Sequence, residues 1–139
     1  TDARTTLGLD EALRRAEVYA KAGADILFVE SPESVEEMQQ IGRSFDLPLV
    51  ANMVEGGRTP MLSFEELQAI GYGLAIFPAT AFLAAAKAFE HVYTALKETR
   101  QSTSVNAALY DFPAFSKLMG FDWVTAFDQA HAKADSQIP

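Results

Sequence analysis

Two polar residues, each at the end of a short apolar run, are the first candidates for chemistry in this sequence. Glu30 ends the run 26–30, and Asn52 ends the run 49–52. A carboxylate at such a position can bind a metal ion through water, accept a hydrogen bond from a substrate hydroxyl or hold an arginine, and an asparagine amide both donates and accepts hydrogen bonds. A solvated or helix-capping glutamate is the alternative interpretation of Glu30.

The residues that follow Asn52 form a loop that suits the binding of a small carboxylate substrate. The segment 52–60 reads Asn-Met-Val-Glu-Gly-Gly-Arg-Thr-Pro. The Gly56-Gly57 pair lets the backbone approach a ligand closely or adopt a positive φ, and Glu55 adds a carboxylate. Asn52 and backbone N–H groups are the predicted donors to substrate oxygens. An ordinary loop with a glycine turn is the alternative, although loops carry functional residues more often than cores do.

The elements that must position these residues repeat one plan three times. An apolar run is followed by a polar loop and an amphipathic helix, and the runs begin about 23 and about 25 residues apart, as in consecutive βα units of a parallel sheet or barrel. The carboxyl ends of such strands lie on one rim, where barrel enzymes carry their catalytic groups. The predicted strands are 26–30, 49–52 and 74–77, and the predicted helices are 9–22, 34–45, 63–71 and 80–99.

The C-terminal part of the sequence is rich in aromatic residues. Residues 101–106 are polar and typical of a connector, and residues 113–134 are predicted to form one or two helices interrupted near Gly120. An apolar surface of this size in a terminal segment is expected to pack against another protein surface, and a neighbouring subunit is the expected partner. The residues concerned are Phe112, Phe115, Leu118, Met119, Phe121, Trp123, Val124 and Phe127.

Length and composition bound the possible functions. The chain has 139 residues and no N-terminal Met, whereas a complete (β/α)8 barrel takes about 250 residues, so the C-terminal half of a longer barrel protein is predicted.

A formal charge of −8 without a basic cluster argues against nucleic-acid binding. No stretch approaches the roughly 18 apolar residues of a membrane span. The lack of cysteine excludes disulfides and thiolate sites from this segment and fits a cytoplasmic location.

Other catalytic and cofactor motifs are not supported. His91 lies inside the predicted helix 80–99 and is predicted to be a surface or packing residue, whereas His131 lies in the tail and is predicted to be solvated. The segment 71–73, Gly-Tyr-Gly, precedes a strand instead of following one, so it is not a dinucleotide-binding fingerprint. No closely spaced pair of Asp, Glu or His is predicted on one rim, and we therefore predict no metal ligand within this chain.

Four segments of the sequence, in order and with compatible gaps, resemble the isocitrate lyase/phosphoenolpyruvate mutase superfamily. The resemblance is greatest to its methylisocitrate lyase, dimethylmalate lyase and carboxyphosphonoenolpyruvate mutase branches, and it covers about residues 1–100. The Asn-Met-Val-Glu-Gly-Gly-Arg-Thr-Pro run is its most specific part, and the tail matches less clearly. The four segments are 1–4, 23–30, 51–60 and 62–72.

The resemblance implies a fold and an assembly. Residues 1–100 would be the sixth to eighth strands, with their helices, of a (β/α)8 TIM barrel, preceded by the end of the fifth strand at Thr1-Asp2. Residues 101–139 would be a helical tail. Members of the family swap their last helix onto a neighbouring subunit, which implies a homodimer or homotetramer formed through the C-terminal helices.

The resemblance also assigns roles to individual residues. Glu30 matches a rim glutamate of the sixth strand and is the predicted catalytic residue, and Asn52 matches a ligand of the substrate carboxylate on the seventh strand. The family binds Mg²⁺, but its metal-binding Asp residues and its gating loop with a catalytic Cys lie on earlier strands that this chain lacks. The other predicted substrate-binding residues are Glu55, Gly56, Gly57, Thr59 and Pro78.

The activity expected of the full-length protein is Mg²⁺-dependent cleavage of a carbon–carbon bond in a small 2-hydroxy di- or tricarboxylate. Methylisocitrate, isocitrate and dimethylmalate are examples, and the reaction would pass through an enolate. A phosphonomutase or an oxaloacetate-processing enzyme of the same superfamily is the first alternative, and a non-catalytic barrel segment used for assembly is the second. This chain alone is expected to be inactive.

Overall fold

Three parallel strands, each followed by a helix, form the first part of the computed structural model, in which residues 1–132 are described. The strands are β1 (Leu27–Phe28), β2 (Leu49–Asn52) and β3 (Leu74–Ile76). They form one sheet in the order β1-β2-β3, and both neighbouring pairs are parallel. The α/β class predicted from the sequence is therefore confirmed.

The helices begin and end close to their predicted bounds, with two additions. The short helix α1 and a 3₁₀ turn at Ser102–Ser104 were not predicted, and residues 133 and 134 of the predicted tail helices lie outside the described residues. No helix within residues 1–132 is both long enough and apolar enough to span a membrane. The helices are α1 (Ala3–Leu7), α2 (Leu9–Lys21), α3 (Val35–Ser44), α4 (Phe64–Ala69), α5 (Thr80–Thr99), α6 (Phe112–Leu118) and α7 (Phe121–His131).

Serine caps determine where α3 and α4 begin. The Ser34 side chain accepts a hydrogen bond from the Glu37 amide, and Ser63 and Glu66 form a complete capping box. Each cap satisfies amides that have no partner within the helix. The caps therefore fix the lengths of the loops that connect the strand ends with α3 and α4.

The core lies between α2, α3 and α4 and one face of the sheet. Burying each large side chain contributes roughly 2 kcal/mol relative to leaving it exposed. The two helices α3 and α4 also touch through their backbones, because a Cβ atom built on Gly42 would lie 1.7 Å from the Ile70 carbonyl oxygen. The most deeply buried of the large side chains are Met38, Ile41, Leu49, Met53 and Leu67.

The opposite face of the sheet carries the candidate site. Phe28 pairs with Val50, and side chains two residues apart on a strand point to the same face. Glu30 and Asn52, each two residues further along, therefore lie side by side on this face. Apolar side chains of this face are partly open to solvent, with Ile76 39% exposed.

Thr1 lies beside β1 in the position of a further parallel strand. The Thr1 nitrogen donates to the Phe28 carbonyl at 2.7 Å, and the Glu30 amide donates to the Thr1 carbonyl at 3.0 Å. This alternation is the pattern of a parallel ladder. The predicted strand 26–30 pairs with β2 only over Leu27–Phe28, and the Glu30 amide bonds to Thr1 on the other side.

The chain divides into two compact units, Thr1–Phe89 and Glu90–Pro139. In the described part of the second unit, Asp111 caps α6 by accepting a hydrogen bond from the Ala114 amide. Gly120 has a φ of 82° and separates α6 from α7, so the predicted interruption is confirmed. The apolar side chains of these two helices are exposed. The predicted domain boundary at residue 100 stays a prediction.

Candidate active site

Glu30 and Asn52 converge at the carboxyl ends of β1 and β2. The Asn52 Nδ2 donates to both carboxylate oxygens of Glu30, at 3.3 Å to Oε2 and 3.4 Å to Oε1. Both distances are long for a hydrogen bond, as is common for catalytic groups before a substrate binds. The prediction that these side chains share one rim and converge is confirmed, while their catalytic and binding roles stay predictions.

Ser31 supplies a third polar group to the same carboxylate. Its Oγ donates to Glu30 Oε1 at 3.0 Å. Its φ of 58° lies in the left-handed region, which costs a residue with a Cβ atom about 1–2 kcal/mol. The hydrogen bond to the Glu30 side chain offsets part of that cost. The Glu30 carboxylate is thus restrained by donors on two sides.

The Asn52 amide has one atom without a partner. Its Oδ1 is buried and accepts no hydrogen bond from the described residues, and an unsatisfied buried acceptor costs about 1–3 kcal/mol. The Nδ2 group, by contrast, has two protons and contacts only Glu30 among these residues. Asn52 can therefore donate to a ligand carboxylate, as predicted, while it keeps one proton on Glu30.

A cavity of about 220 Å³ opens beside these groups. It is smaller than the pockets of roughly 300–1,000 Å³ that hold drug-sized molecules, so it suits a small metabolite. Four predicted site residues line it, and three further residues do so as well. The predicted ones are Glu30, Asn52, Gly57 and Thr59, and the others are Ser31, Val54 and Arg58.

A tight turn shapes the loop over this cavity. The Gly57 amide donates to the Val54 carbonyl at 2.9 Å, and Gly56 between them has a φ of 74°. A positive φ at the third position of a four-residue turn favours glycine. A Cβ on Gly57 would lie 2.9 Å from the Val54 carbonyl oxygen. Both glycines are therefore required by the backbone, and the turn brings the following residues back to the cavity.

Glu55, at the tip of this turn, binds a helix instead of lining the cavity. The Thr80 hydroxyl, in the first turn of α5, donates to Glu55 Oε1 at 2.6 Å. This hydrogen bond, together with one from the backbone of Glu55 itself, lowers the pKa of the Glu55 carboxyl. Gly56 and Pro78 do not line the cavity either. The substrate-binding roles predicted for these three residues stay predictions, and the contact with Thr80 indicates that Glu55 positions the loop.

Ser31 and Arg58 are the polar lining residues that sequence reasoning missed. The positive φ of Ser31 depends on tertiary contacts and has no signal in the Glu-Ser-Pro sequence, where the proline acts mainly by disfavouring helix. Arg58 did have a signal, because it is the only basic residue of the loop 52–60.

An ion-pair cluster holds the segment that follows Glu30. The Arg4 guanidinium binds both carboxylate oxygens of Glu37, at 2.7 and 2.8 Å, and one oxygen of Glu33 at 3.0 Å. The Glu33 amide in turn donates to the Glu37 carboxylate at 2.8 Å. The hydrogen bond from Arg4 is the main reason why the pKa of Glu37 is lowered. The loop between β1 and α3 is therefore tied to α1 as well as to its own helix.

The described residues do not form a metal site by themselves. Within residues 1–132, no three Asp, Glu or His side chains are grouped so that they could hold a metal ion. Glu30 is the one carboxylate among the residues that line the cavity. Mg²⁺ is usually bound through one or two carboxylates together with water molecules, so the described residues offer at most part of such a set.

Comparison with protein families gives a match over most of the chain. Residues 2–97 match the family described as phosphoenolpyruvate phosphomutase. The 2,3-dimethylmalate lyase of Eubacterium barkeri is 45% identical over 95% of this chain and 46% of its own length. The 2-methylisocitrate lyase of Aeropyrum pernix is 39% identical over 87% of this chain and 39% of its own length. The chain thus spans less than half the length of these relatives.

Solved structures of the same group superimpose on the chain. A crystal structure of 2,3-dimethylmalate lyase, described as a member of the PEP mutase/isocitrate lyase superfamily, matches with a TM-score of 0.80 and 30% identity, over 94% of this chain and 45% of that one. A phosphonopyruvate hydrolase in complex with oxalate and Mg²⁺ matches with a TM-score of 0.75 and 27% identity, over 91% and 45%. The match of residues 2–97 to the family, together with these relatives, shows that the chain belongs to the phosphoenolpyruvate mutase/isocitrate lyase superfamily.

Proposed function

We propose that the protein containing this chain is a Mg²⁺-dependent carbon–carbon lyase that acts on a small 2-hydroxy di- or tricarboxylate. Dimethylmalate, methylisocitrate and isocitrate are the candidate substrates. The observation that carries the proposal is the contact of Asn52 with Glu30 at a cavity of metabolite size. The 45% identity to a 2,3-dimethylmalate lyase favours a lyase over the other activities of the superfamily.

The proposed architecture is the C-terminal half of a (β/α)8 barrel. Three successive parallel strands with their helices support it, as does Thr1 in the position of a preceding strand. The sheet face that carries Glu30 and Asn52 is partly open, as the inner wall of an incomplete barrel would be. The missing strands would supply the remaining active-site residues.

In the proposed reaction, the bond between C2 and C3 of the substrate breaks. The 2-hydroxyl loses its proton as the carbonyl of a 2-oxo acid forms at C2, and C3 keeps the bonding electrons as the enolate of the second acid until it is protonated. Glu30 accepts a hydrogen bond from the substrate hydroxyl and holds it in position, while Asn52 donates its second Nδ2 proton to the adjacent carboxylate. Donors placed at developing charge commonly contribute about 100-fold or more to the rate. The base belongs to segments outside this chain.

Mg²⁺ dependence is proposed from the superfamily, in which a phosphonopyruvate hydrolase contains the ion. When bound, the ion would supply positive charge that stabilises the enolate. Its ligands would come mainly from segments outside this chain, since the described residues provide no complete set. The hydrogen bonds assigned to Glu30 and Asn52 do not require either residue to be a metal ligand.

The C-terminal helices are proposed to form the contacts of a homodimer or homotetramer in the cytoplasm, with part of this segment swapped onto the neighbouring subunit. Large apolar side chains in the described part of the tail are exposed, with Phe112 at 79% and Trp123 at 70%. Their burial in another subunit would remove a substantial apolar patch from water. No nucleic acid or membrane partner is proposed.

Two alternatives remain from the sequence, and one experiment separates them from the lyase. A phosphonomutase or an oxaloacetate-processing enzyme would use the same rim on another substrate, and a non-catalytic segment would only support assembly. The complete protein is incubated with MgCl₂ and each candidate 2-hydroxy acid, and the 2-oxo acid that forms is trapped with phenylhydrazine. Phosphonopyruvate and oxaloacetate are incubated in the same way without the trap, and their products are separated by chromatography.

We expect one substrate to react with a kcat/KM on the order of 10⁴ M⁻¹ s⁻¹ or more, and EDTA to remove the activity reversibly. Conversion of phosphonopyruvate or oxaloacetate in place of these acids would favour the first alternative. If the protein converts none of the 2-hydroxy acids, phosphonopyruvate or oxaloacetate, the second alternative is favoured, in which this segment only supports assembly.

A further inference from the structure

Arg58 is the basic side chain that lines the cavity. It follows the glycine turn and is exposed. Within residues 1–132 it forms no hydrogen bond or ion pair. An arginine fork that binds no other described residue is available for a carboxylate, which it matches with two parallel N–H···O bonds.

The charges around the cavity favour a ligand between Arg58 and Glu30. Both residues line the same cavity of about 220 Å³, yet they do not form an ion pair with each other. The chain as a whole is acidic, with a formal charge of −8, so a di- or tricarboxylate needs a local positive charge to approach Glu30. Among the described residues that line the cavity, Arg58 provides it.

We propose that Arg58 binds the second carboxylate of the substrate, the one farther from the reacting hydroxyl, and thereby selects dicarboxylates over monocarboxylates. This inference rests on the proposed function for the identity of the substrate class. Glu30 and Asn52, which contact each other, take the hydroxyl and its adjacent carboxylate. The other end of the acid then extends towards Arg58, where the turn fixed by Gly56 and Gly57 presents the guanidinium.

Binding of two simple acids to the complete protein tests the proposal without relying on turnover. Racemic malate has a hydroxyl and two carboxylates, whereas lactate lacks the second carboxylate. Their dissociation constants are measured by titration calorimetry for the wild type and for Arg58→Gln, Arg58→Lys and Arg43→Gln. Arg43 is an exposed arginine of α3 that does not line this cavity, and it serves as the matched control.

We expect Arg58→Gln to weaken malate binding roughly 10- to 100-fold, as for the loss of a hydrogen bond to a charged group, and to leave lactate binding unchanged. Arg58→Lys keeps the charge but loses the fork, so its affinity for malate should lie between those of the wild type and Arg58→Gln. The affinity of Arg43→Gln for malate should match that of the wild type. With a substrate that is turned over, Arg58→Gln should raise KM and leave kcat close to the wild-type value.

Three results would overturn the proposal: wild-type protein that does not bind malate, malate affinity that is the same in Arg58→Gln, or equal weakening of malate and lactate. The circular dichroism spectrum of each variant verifies folding, and Arg58→Lys keeps the test decisive if Arg58→Gln does not fold. Arg58-dependent malate binding without any lyase turnover would reject the proposed function alone. Turnover with an unchanged KM in Arg58→Gln would reject only the role of Arg58.

Discussion

The Asn52 side chain places one amide nitrogen within 3.3–3.4 Å of both carboxylate oxygens of Glu30. This contact joins the ends of two neighbouring parallel strands, so each residue restrains the orientation of the other. A substitution of either residue should therefore also change the orientation of the other side chain.

Asn52→Ala in the complete protein should lower kcat/KM roughly 100-fold or more, because it removes one positioned donor and leaves Glu30 held by Ser31 alone among the described side chains. Steady-state kinetics with the substrate that the proposed turnover assay identifies measures the effect. Asn106→Ala, at an exposed asparagine of the second unit, is the matched control and should retain full activity. Similar kinetics for both variants would exclude a role for Asn52 in the reaction.

Asn52→Asp should shift the pH dependence of stability. A second carboxylate beside Glu30 raises the pKa of the pair in the folded state. A raised folded-state pKa adds stability at low pH that is lost as the pH rises. The variant should therefore be less stable than the wild type at pH 7 and recover towards pH 4, as followed by urea denaturation at both pH values. A constant difference between the proteins would contradict the contact.

Ser31→Ala and Ser31→Gly should separate the hydrogen bond from the backbone conformation. Ser31→Ala keeps a Cβ at a φ of 58° and loses the bond to Glu30, so we expect a loss of about 1 kcal/mol in the free energy of unfolding. Ser31→Gly also loses the bond but adopts this φ without steric cost. Denaturant midpoints should therefore place the glycine variant at or above the alanine variant. The reverse order would show that the positive φ stores little strain.

Glu37→Gln should destabilise the protein in a pH-dependent way. The Arg4 guanidinium holds the pKa of Glu37 below its ordinary value of 4.5, so the ion pair stabilises the fold fully above about pH 4.5 and is lost as the pH falls through the lowered value. The difference between wild type and variant in thermal midpoint should be largest near neutral pH and shrink below pH 4. Glu98→Gln, at an exposed glutamate of α5, is the control. A difference that persists unchanged at pH 3 would argue against the ion pair.

Gly42→Ala should cost about 2 kcal/mol or more in the free energy of unfolding, because the new methyl group would overlap the Ile70 carbonyl. Gly73→Ala is the matched control, since the nearest atom to its Cβ would be 3.8 Å away at Pro48. Chemical denaturation of both variants measures the contrast. Equal stability would mean that α3 and α4 can separate without penalty.

The periodic features of the sequence predicted the fold well because they reflect local physics. Capping serines before α3 and α4, and the interruption at Gly120, determine helix ends through bonds or backbone angles within a few residues. Glu30 and Asn52 were found because each ends an apolar run, and the register of parallel strands then brings them together.

What the sequence did not predict depends on long-range contacts. The helix α1 is short and is held by the bonds of Arg4 to Glu33 and Glu37 on a distant segment. The left-handed Ser31 is likewise stabilised by its surroundings. The substrate-binding role of Glu55 stays a prediction, whereas its hydrogen bond from Thr80, which positions the loop, depends on the fold and has no signal in the sequence.

The backbone contact between Gly42 and Ile70 also bears on how this site could be redesigned. With no side chain separating α3 from α4 at this point, spreading the strands beneath these helices to enlarge the cavity would break close packing between the helices and cost stability. New substrate preferences must then come from the residues that follow the strands, at positions 54, 58 and 59 of the loop. A library of variants should keep the helix contact fixed and vary only those three positions.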